Sequence, residues 1–193
     1  MNNVLLKAHR YEKDELRGNV GKSLLTDFCT SGKIPLYKYD YTKDAIIVQP
    51  IEEYPVPFIY GYGNNNKPKY GNKYIDMVYI VSPGKTSPSR RECFTIGIEI
   101  KTSEKDLWRR REQIQSYYGQ TNYFFLAVPK NIVGSALVYA RNEPRLGVMD
   151  MTNCRIVKYP KRQNVDKGVI ADMFYRSTFV KTKLPIMCFR PVV

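Results

Sequence analysis

A chain of 193 residues with 43% hydrophobic residues is long enough to bury one real core, and 31 Lys and Arg against 18 Asp and Glu give it a formal charge of +13. No apolar run reaches the ~20 residues that span a bilayer, and the start Met1-Asn2-Asn3-Val4-Leu5-Leu6 has no long hydrophobic region before a cleavage site, so a cytoplasmic protein is expected. Cys29, Cys93, Cys154 and Cys188 form no C-x-x-C pair and His9 is the only histidine, which argues against a Cys/His zinc site and against any mechanism built on a histidine base.

Tyr11 to Ser31 reads as one or two helices, with Leu16, Val20, Leu24, Leu25 and Phe28 at helical spacing and Gly32 as a stop. Residues 1–50 thus form an N-terminal, mainly helical region, closed by a short strand over Ala45 to Ile51. Tyr54 to Gly71 is rich in Pro, Gly and Asn and reads as a loop. Two apolar strands follow, Lys73–Val81 and Cys93–Lys101. The turn-forming stretch between them, with Lys85, Arg90 and Arg91, predicts an antiparallel hairpin. Ser103 has the chemistry of a helix N-cap, with Asp106 at the capping-box position and Gly119 as the stop. The helix between them places Leu107, Ile114 and Tyr117 or Tyr118 on one face, and Trp108 is expected in the core. Tyr123–Val128 is a third core strand, 131–142 a short helix, Leu146–Met151 and Asn153–Tyr159 a last pair of strands, and Asp166–Phe179 a weaker helix before a basic tail. The order of elements predicts a single α/β or α+β domain with a central mixed sheet between helices. Its core covers about 70–160, and 160–193 form a basic C-terminal extension.

Three residues in this plan carry chemistry. Glu99 and Lys101 share one face of their strand, because side chains alternate, and a neighbouring strand can bring Asp76 to the same place. Two carboxylates make a hard oxygen site suited to Mg²⁺ or Mn²⁺, with the Ile100 carbonyl as a further ligand. Such an ion lowers the pKa of a bound water and neutralises charge on a phosphate, and Lys101 is placed to orient that water or stabilise the transition state. The competing reading is a solvated Glu99–Lys101 ion pair with Asp76 in a turn. Charges inside long apolar strands are costly unless they are paired or functional, which favours the metal site.

The pattern Ile75-Asp76, then Ile98-Glu99-Ile100-Lys101, then a helix, resembles the PD-(D/E)xK nuclease superfamily. The run Glu99-Ile-Lys-Thr-Ser-Glu-Lys-Asp-Leu107, with the later Tyr123-Phe-Phe-Leu-Ala-Val-Pro129, is similar to its MmcB-like branch of DNA-repair nucleases. The resemblance implies a restriction-endonuclease-like core. It implies Asp76 and Glu99 as metal ligands and Lys101 as the catalytic lysine. Asp76 follows Ile75 where the name of the superfamily has proline. Gln113-Ile-Gln-Ser-Tyr117 resembles a Q-x-x-x-Y element of other branches, which implies supporting roles for Gln113, Gln115 and Tyr117; a polar helix face explains them equally. Glu12 and Glu15 are candidates for a first-helix glutamate near the metal, or ordinary surface acids.

The charge balance points to nucleic acid, with DNA implied by the resemblance, and 16 tyrosines add rings able to stack on bases. Arg109 and Arg110 on the helix after the motif, with Lys85, Arg90 and Arg91 on the hairpin, are candidate backbone contacts. Their alternative is a solvated surface. Three classes of function follow: an active nuclease in repair, recombination or mobile-element processing, a nuclease-fold binding module without turnover, and a subunit whose basic surface meets an acidic protein. Some nucleases of this kind pair to cut two strands, so a homodimer is one expected assembly.

Overall fold

The computed structural model describes residues 46–47, 51–62, 66–82, 93–109 and 111–179. Among the described residues seven strands form one mixed sheet: β1 (Ile46–Ile47), β2 (Ile51–Tyr62), β3 (Pro68–Ser82), β4 (Phe94–Ile100), β5 (Tyr123–Val128), β6 (Leu146–Asp150) and β7 (Arg155–Lys158). Helices α1 (Glu104–Arg109) and α2 (Arg111–Ser116) lead from β4 to β5. A 3-10 turn (Lys130–Ile132) and α3 (Val133–Ala140) lead from β5 to β6, and α4 (Lys167–Phe179) follows β7. The fold is α+β, a seven-stranded mixed sheet flanked by helices.

The sheet order is β1-β3-β4-β5-β6-β7, and β2 pairs with β3 as well. β1 meets the Val81–Ser82 end of β3 and β2 meets the rest, so both lie along one edge of it. β3 and β4 are antiparallel, as the hairpin reading expects. β4–β5 and β5–β6 are parallel, and parallel neighbours need a long crossover, which the helical segments supply.

Every residue of β4 and β5 is buried, which is why β5 reads as an unbroken apolar run and β4 as one interrupted only by Thr95 and Glu99. Two apolar layers result. One gathers Met77, Tyr79, Ile96, Ile98, Phe125 and Met149. The other joins Val78, Ile80, Phe124 and Leu126 to Leu107, Ile114, Tyr117, Ala136 and Met173 from the helical segments. α4 is tied to β2 by Asp172, whose Oδ2 accepts bonds from Tyr54 Oη at 3.0 Å and Arg176 Nε at 2.7 Å. Burial, then the Asp172 charge, push the Tyr54 hydroxyl well above its ordinary pKa.

The structure corrects several sequence expectations. Residues 54–71 are no simple loop: most of them build β2 and the start of β3, a long two-stranded ribbon. Pro55 and Pro57 pair with Tyr74 and Asn72 there, and they are tolerated because β2 is an edge strand with β3 as its partner. An irregularity between Ile59 and Gly61 shifts the register. The expected helix over 103–118 is two short helices, with Arg110 outside the described residues. Trp108 is half exposed and lies against Tyr139 of α3, ring centroids 5.4 Å apart. The expected helix Tyr11–Ser31, the hairpin connection and the basic tail after 179 lie outside the described residues.

Candidate active site where β3 and β4 part

The β3–β4 ladder runs from Val81↔Phe94 to Met77↔Ile98. The next residues in line, Asp76 and Glu99, are not a ladder pair. Asp76 Oδ2 instead accepts a hydrogen bond from the Ile100 N–H at 2.7 Å. A side chain has replaced the backbone carbonyl, and the strands diverge at the point where the acids sit. On the other edge of β3 the register places Glu53 of β2 opposite Asp76, between the pairs Glu52↔Met77 and Tyr54↔Ile75. Glu53 has a left-handed backbone, φ 54°, uncommon for a residue with a side chain. Three acids from three strands therefore form one row.

Glu99 and Lys101 are each only 2% exposed, yet both line the cleft that opens at this divergence. Lys101 Nζ donates to Glu99 Oε1 at 2.7 Å and lies 3.5 Å from Asp106 Oδ2. Glu99 Oε2 is buried without a hydrogen bond. Burial, reinforced by the Asp76 charge, pushes the Glu99 carboxyl up to about 7, against the Lys101 ammonium and the dipole of the Asp76 amide.

Neighbouring elements hold this arrangement. Ser103 caps α1 by accepting the Asp106 N–H at 3.3 Å, and the Asp106 carboxylate lies 3.5 Å from Lys101 Nζ. Gln113 Nε2 donates to Tyr117 Oη at 2.6 Å, and Tyr117 Oη donates to the Tyr74 carbonyl at 2.7 Å. That chain pins the end of α2 to β3 two residues before Asp76. The cleft encloses about 550 Å³, and its lining includes Glu53, Tyr74, Asp76, Glu99, Lys101 and Gln113. A second buried acid, Asp150, is occupied by its own turn, accepting from Asn153 N and Nδ2 and from Arg155 Nε.

The structure thus brings Asp76, Glu99, Ile100, Lys101, Asp106 and Gln113 to one cleft, with Tyr117 behind it. Gln115 is exposed and does not line it, and Arg109 is exposed on the last turn of α1. Arg110, Lys85, Arg90, Arg91, Glu12 and Glu15 lie outside the described residues. Sequence reading missed Glu53, because the strand that sets it opposite Asp76 was expected to be a loop from Tyr54 on, and it put Lys73 and Tyr74 on a strand without giving them a place in the site. The alternation of Tyr54, Val56 and Phe58 through the prolines was the available signal.

The donor set fits a hard divalent ion. A buried carboxylate oxygen lacking a partner is unfavourable unless something positive meets it. Among the described residues no three His, Cys, Asp or Glu side chains gather into a ready-made cage. Mg²⁺ does not need one, since it takes one or two carboxylates and fills its shell with water and phosphate oxygens.

No family model matches the chain, and no curated protein matches it. Among solved structures it is similar to the SPO1766 protein of unknown function from Silicibacter pomeroyi. The TM-score is 0.40 at 16% identity, over 74% of this chain and 85% of that one. Among the described residues no helix is long and apolar enough to cross a membrane.

Proposed function

We propose that the chain is a Mg²⁺- or Mn²⁺-dependent nuclease that hydrolyses phosphodiester bonds in DNA, built on a restriction-endonuclease-like core. The observation that carries this reading is Glu99 Oε2, a carboxylate oxygen buried without a hydrogen bond in a polar cleft between Asp76 and Lys101. The mixed sheet with helices against it supports the reading, as does the parting of two strands where the acids sit. Asp76 and Glu99 would hold the ion, with Ile100 beside them. The bound ion supplies a water of lowered pKa and a counter-charge for the phosphate. Lys101, steered by Glu99 and Asp106, orients the attacking water and offers its ammonium to the oxygen that gains charge. Repair, recombination or mobile-element processing in the cytoplasm is the setting that suits such an activity.

Nicking of plasmid DNA with Mg²⁺ or Mn²⁺ tests the proposal. Glu99→Ala and Lys101→Ala are each expected to slow it by about 10²-fold or more. The 2.7 Å closure of Lys101 onto Glu99 favours one alternative, a binding module in which the pair is structural and no turnover occurs. DNA binding with no cleavage in either metal, across single-stranded, duplex, flapped and four-way substrates, would establish that alternative.

A further inference from the structure

Residues 54–75, between Glu53 and Asp76, contain six aromatic residues, three lysines and not one acid. They form most of the β2–β3 ribbon, which runs on past the end of the β3–β4 ladder. Paired residues of adjacent strands share a face, and alternate residues of one strand share it too. Tyr70 and Tyr74 therefore lie on the same ribbon face as Ile59, and Tyr62, paired with Pro68, joins them. The three rings are open to solvent: Tyr62 is 65% exposed, Tyr70 66% and Tyr74 48%. Tyr74 and Lys73 also line the cleft, so the aromatic face is continuous with the candidate active site. Lys67 and Lys69 are exposed near the outer end of the ribbon.

We propose that this ribbon is a stacking track for single-stranded nucleic acid, which it feeds into the cleft of Asp76, Glu99 and Lys101. The inference rests on the nuclease reading for what happens in the cleft, but not for binding to the ribbon. Alternate residues of a strand lie about 7 Å apart, so Tyr70 and Tyr74, two such steps apart at about 13 Å, are spaced to take next-but-one bases of an extended strand. Ring stacking needs an open base face, which an unpaired strand offers and a duplex hides within its own stack. Residues 54–75 hold no acid to repel a phosphate backbone, while Lys69 and Lys73 alternate with the tyrosines and so stand on the other ribbon face, with Lys73 Nζ 4.5 Å from the centre of the Phe58 ring. The substrate class is accordingly an unpaired strand or an unpaired arm of a branched molecule.

The test is fluorescence anisotropy with a labelled oligothymidine and with a duplex of equal length, in chelator so that nothing is cut. The single strand is expected to bind at least about tenfold more tightly than the duplex. Replacing Tyr62, Tyr70 and Tyr74 together by Ala should weaken single-strand binding by about 100-fold, and replacing them by Phe should leave it near the starting value. The rings are exposed, so the variants should fold, as circular dichroism will verify. Equal affinity for both nucleic acids, or binding indifferent to the Ala variant, overturns the proposal; a protein ligand captured through the same tyrosines, with no oligonucleotide binding, overturns it as well. Failure here is distinct from failure of the nuclease reading. A protein that cuts DNA but ignores the tyrosine substitutions has no track, and one that binds through the tyrosines but never cuts has a track without an active site.

Discussion

Burying Glu99 beside Asp76 raises the free energy of its ionised form, and the Lys101 ammonium at 2.7 Å restores only part of it, because Oε2 is left without a hydrogen bond. The sign of the resulting pH dependence follows from proton counts. The ordinary value of 4.5 holds in the unfolded chain, and burial pushes the carboxyl up to about 7 in the folded one. Between those values the folded state holds the extra proton, so stability falls as pH rises, and the loss is complete above about 7. Its size is roughly 3 kcal/mol. Denaturant titrations in chelator at pH 5 and pH 8 should show that fall in the parent protein and not in Glu99→Gln; an equal fall in both would place the titration on another group. Adding Mg²⁺ should restore stability chiefly at the higher pH, where both carboxylates are ionised, and removing it should reverse the gain. A Glu99→Gln variant stabilised as much as the parent would remove Glu99 from the ligand set.

Among the elements, β3 has the widest role, since it pairs with β1, β2 and β4 and carries Asp76 where the last of these leaves it. Its position there is set partly by Tyr117, whose hydroxyl donates to the Tyr74 carbonyl and accepts from Gln113. Tyr117→Phe keeps the ring in the core but strips both bonds. A loss of about 1 kcal/mol in unfolding free energy is expected. Nicking should fall further than that stability loss explains, because Asp76 is two residues away; unchanged nicking would mean that the pin is only structural. The central strands were legible for a plain reason. β4 and β5 are covered on both sides, so Phe94–Ile100 and Tyr123–Val128 had to be almost wholly apolar, and the charges of Glu99 within β4 and Lys101 just past it stood out. Leu107 and Ile114, with Tyr117 or Tyr118, were legible as one helical stripe; Leu107, Ile114 and Tyr117 are buried and Tyr118 only partly so, and Gly119 takes the left-handed conformation of a helix stop at φ 84°. β2 was hidden because proline and glycine signal a turn to any local reading, whereas an edge strand tolerates them once a long partner is in place. Missing that strand also hid Glu53, whose place opposite Asp76 exists only through the pairing. Trp108 was misplaced because aromatic character does not say which side of a short helix meets the core.

At the scale of the whole molecule, a chain of charge +13 surrounds a cleft whose own floor is acidic. On the proposed function, a polyanion would be drawn to the molecule by the first property and repelled from the cleft by the second, and a bound divalent ion would reconcile them. The attraction should be visible as counterion release. Affinity for a single strand should fall linearly on a log–log plot against salt, with a slope of about −0.7 for each phosphate neutralised. If Lys67, Lys69 and Lys73 meet phosphates as the ribbon is approached, replacing the three by Gln should flatten that slope by about 2, which anisotropy across a KCl series will read directly. The tyrosine substitutions should do the opposite: they should lower affinity at every salt concentration while leaving the slope in place, because stacking releases no counterions. An unflattened slope in the lysine variant would assign the electrostatic contacts to basic residues away from the ribbon, and the two sets of variants together separate the force that gathers the strand from the force that aligns it.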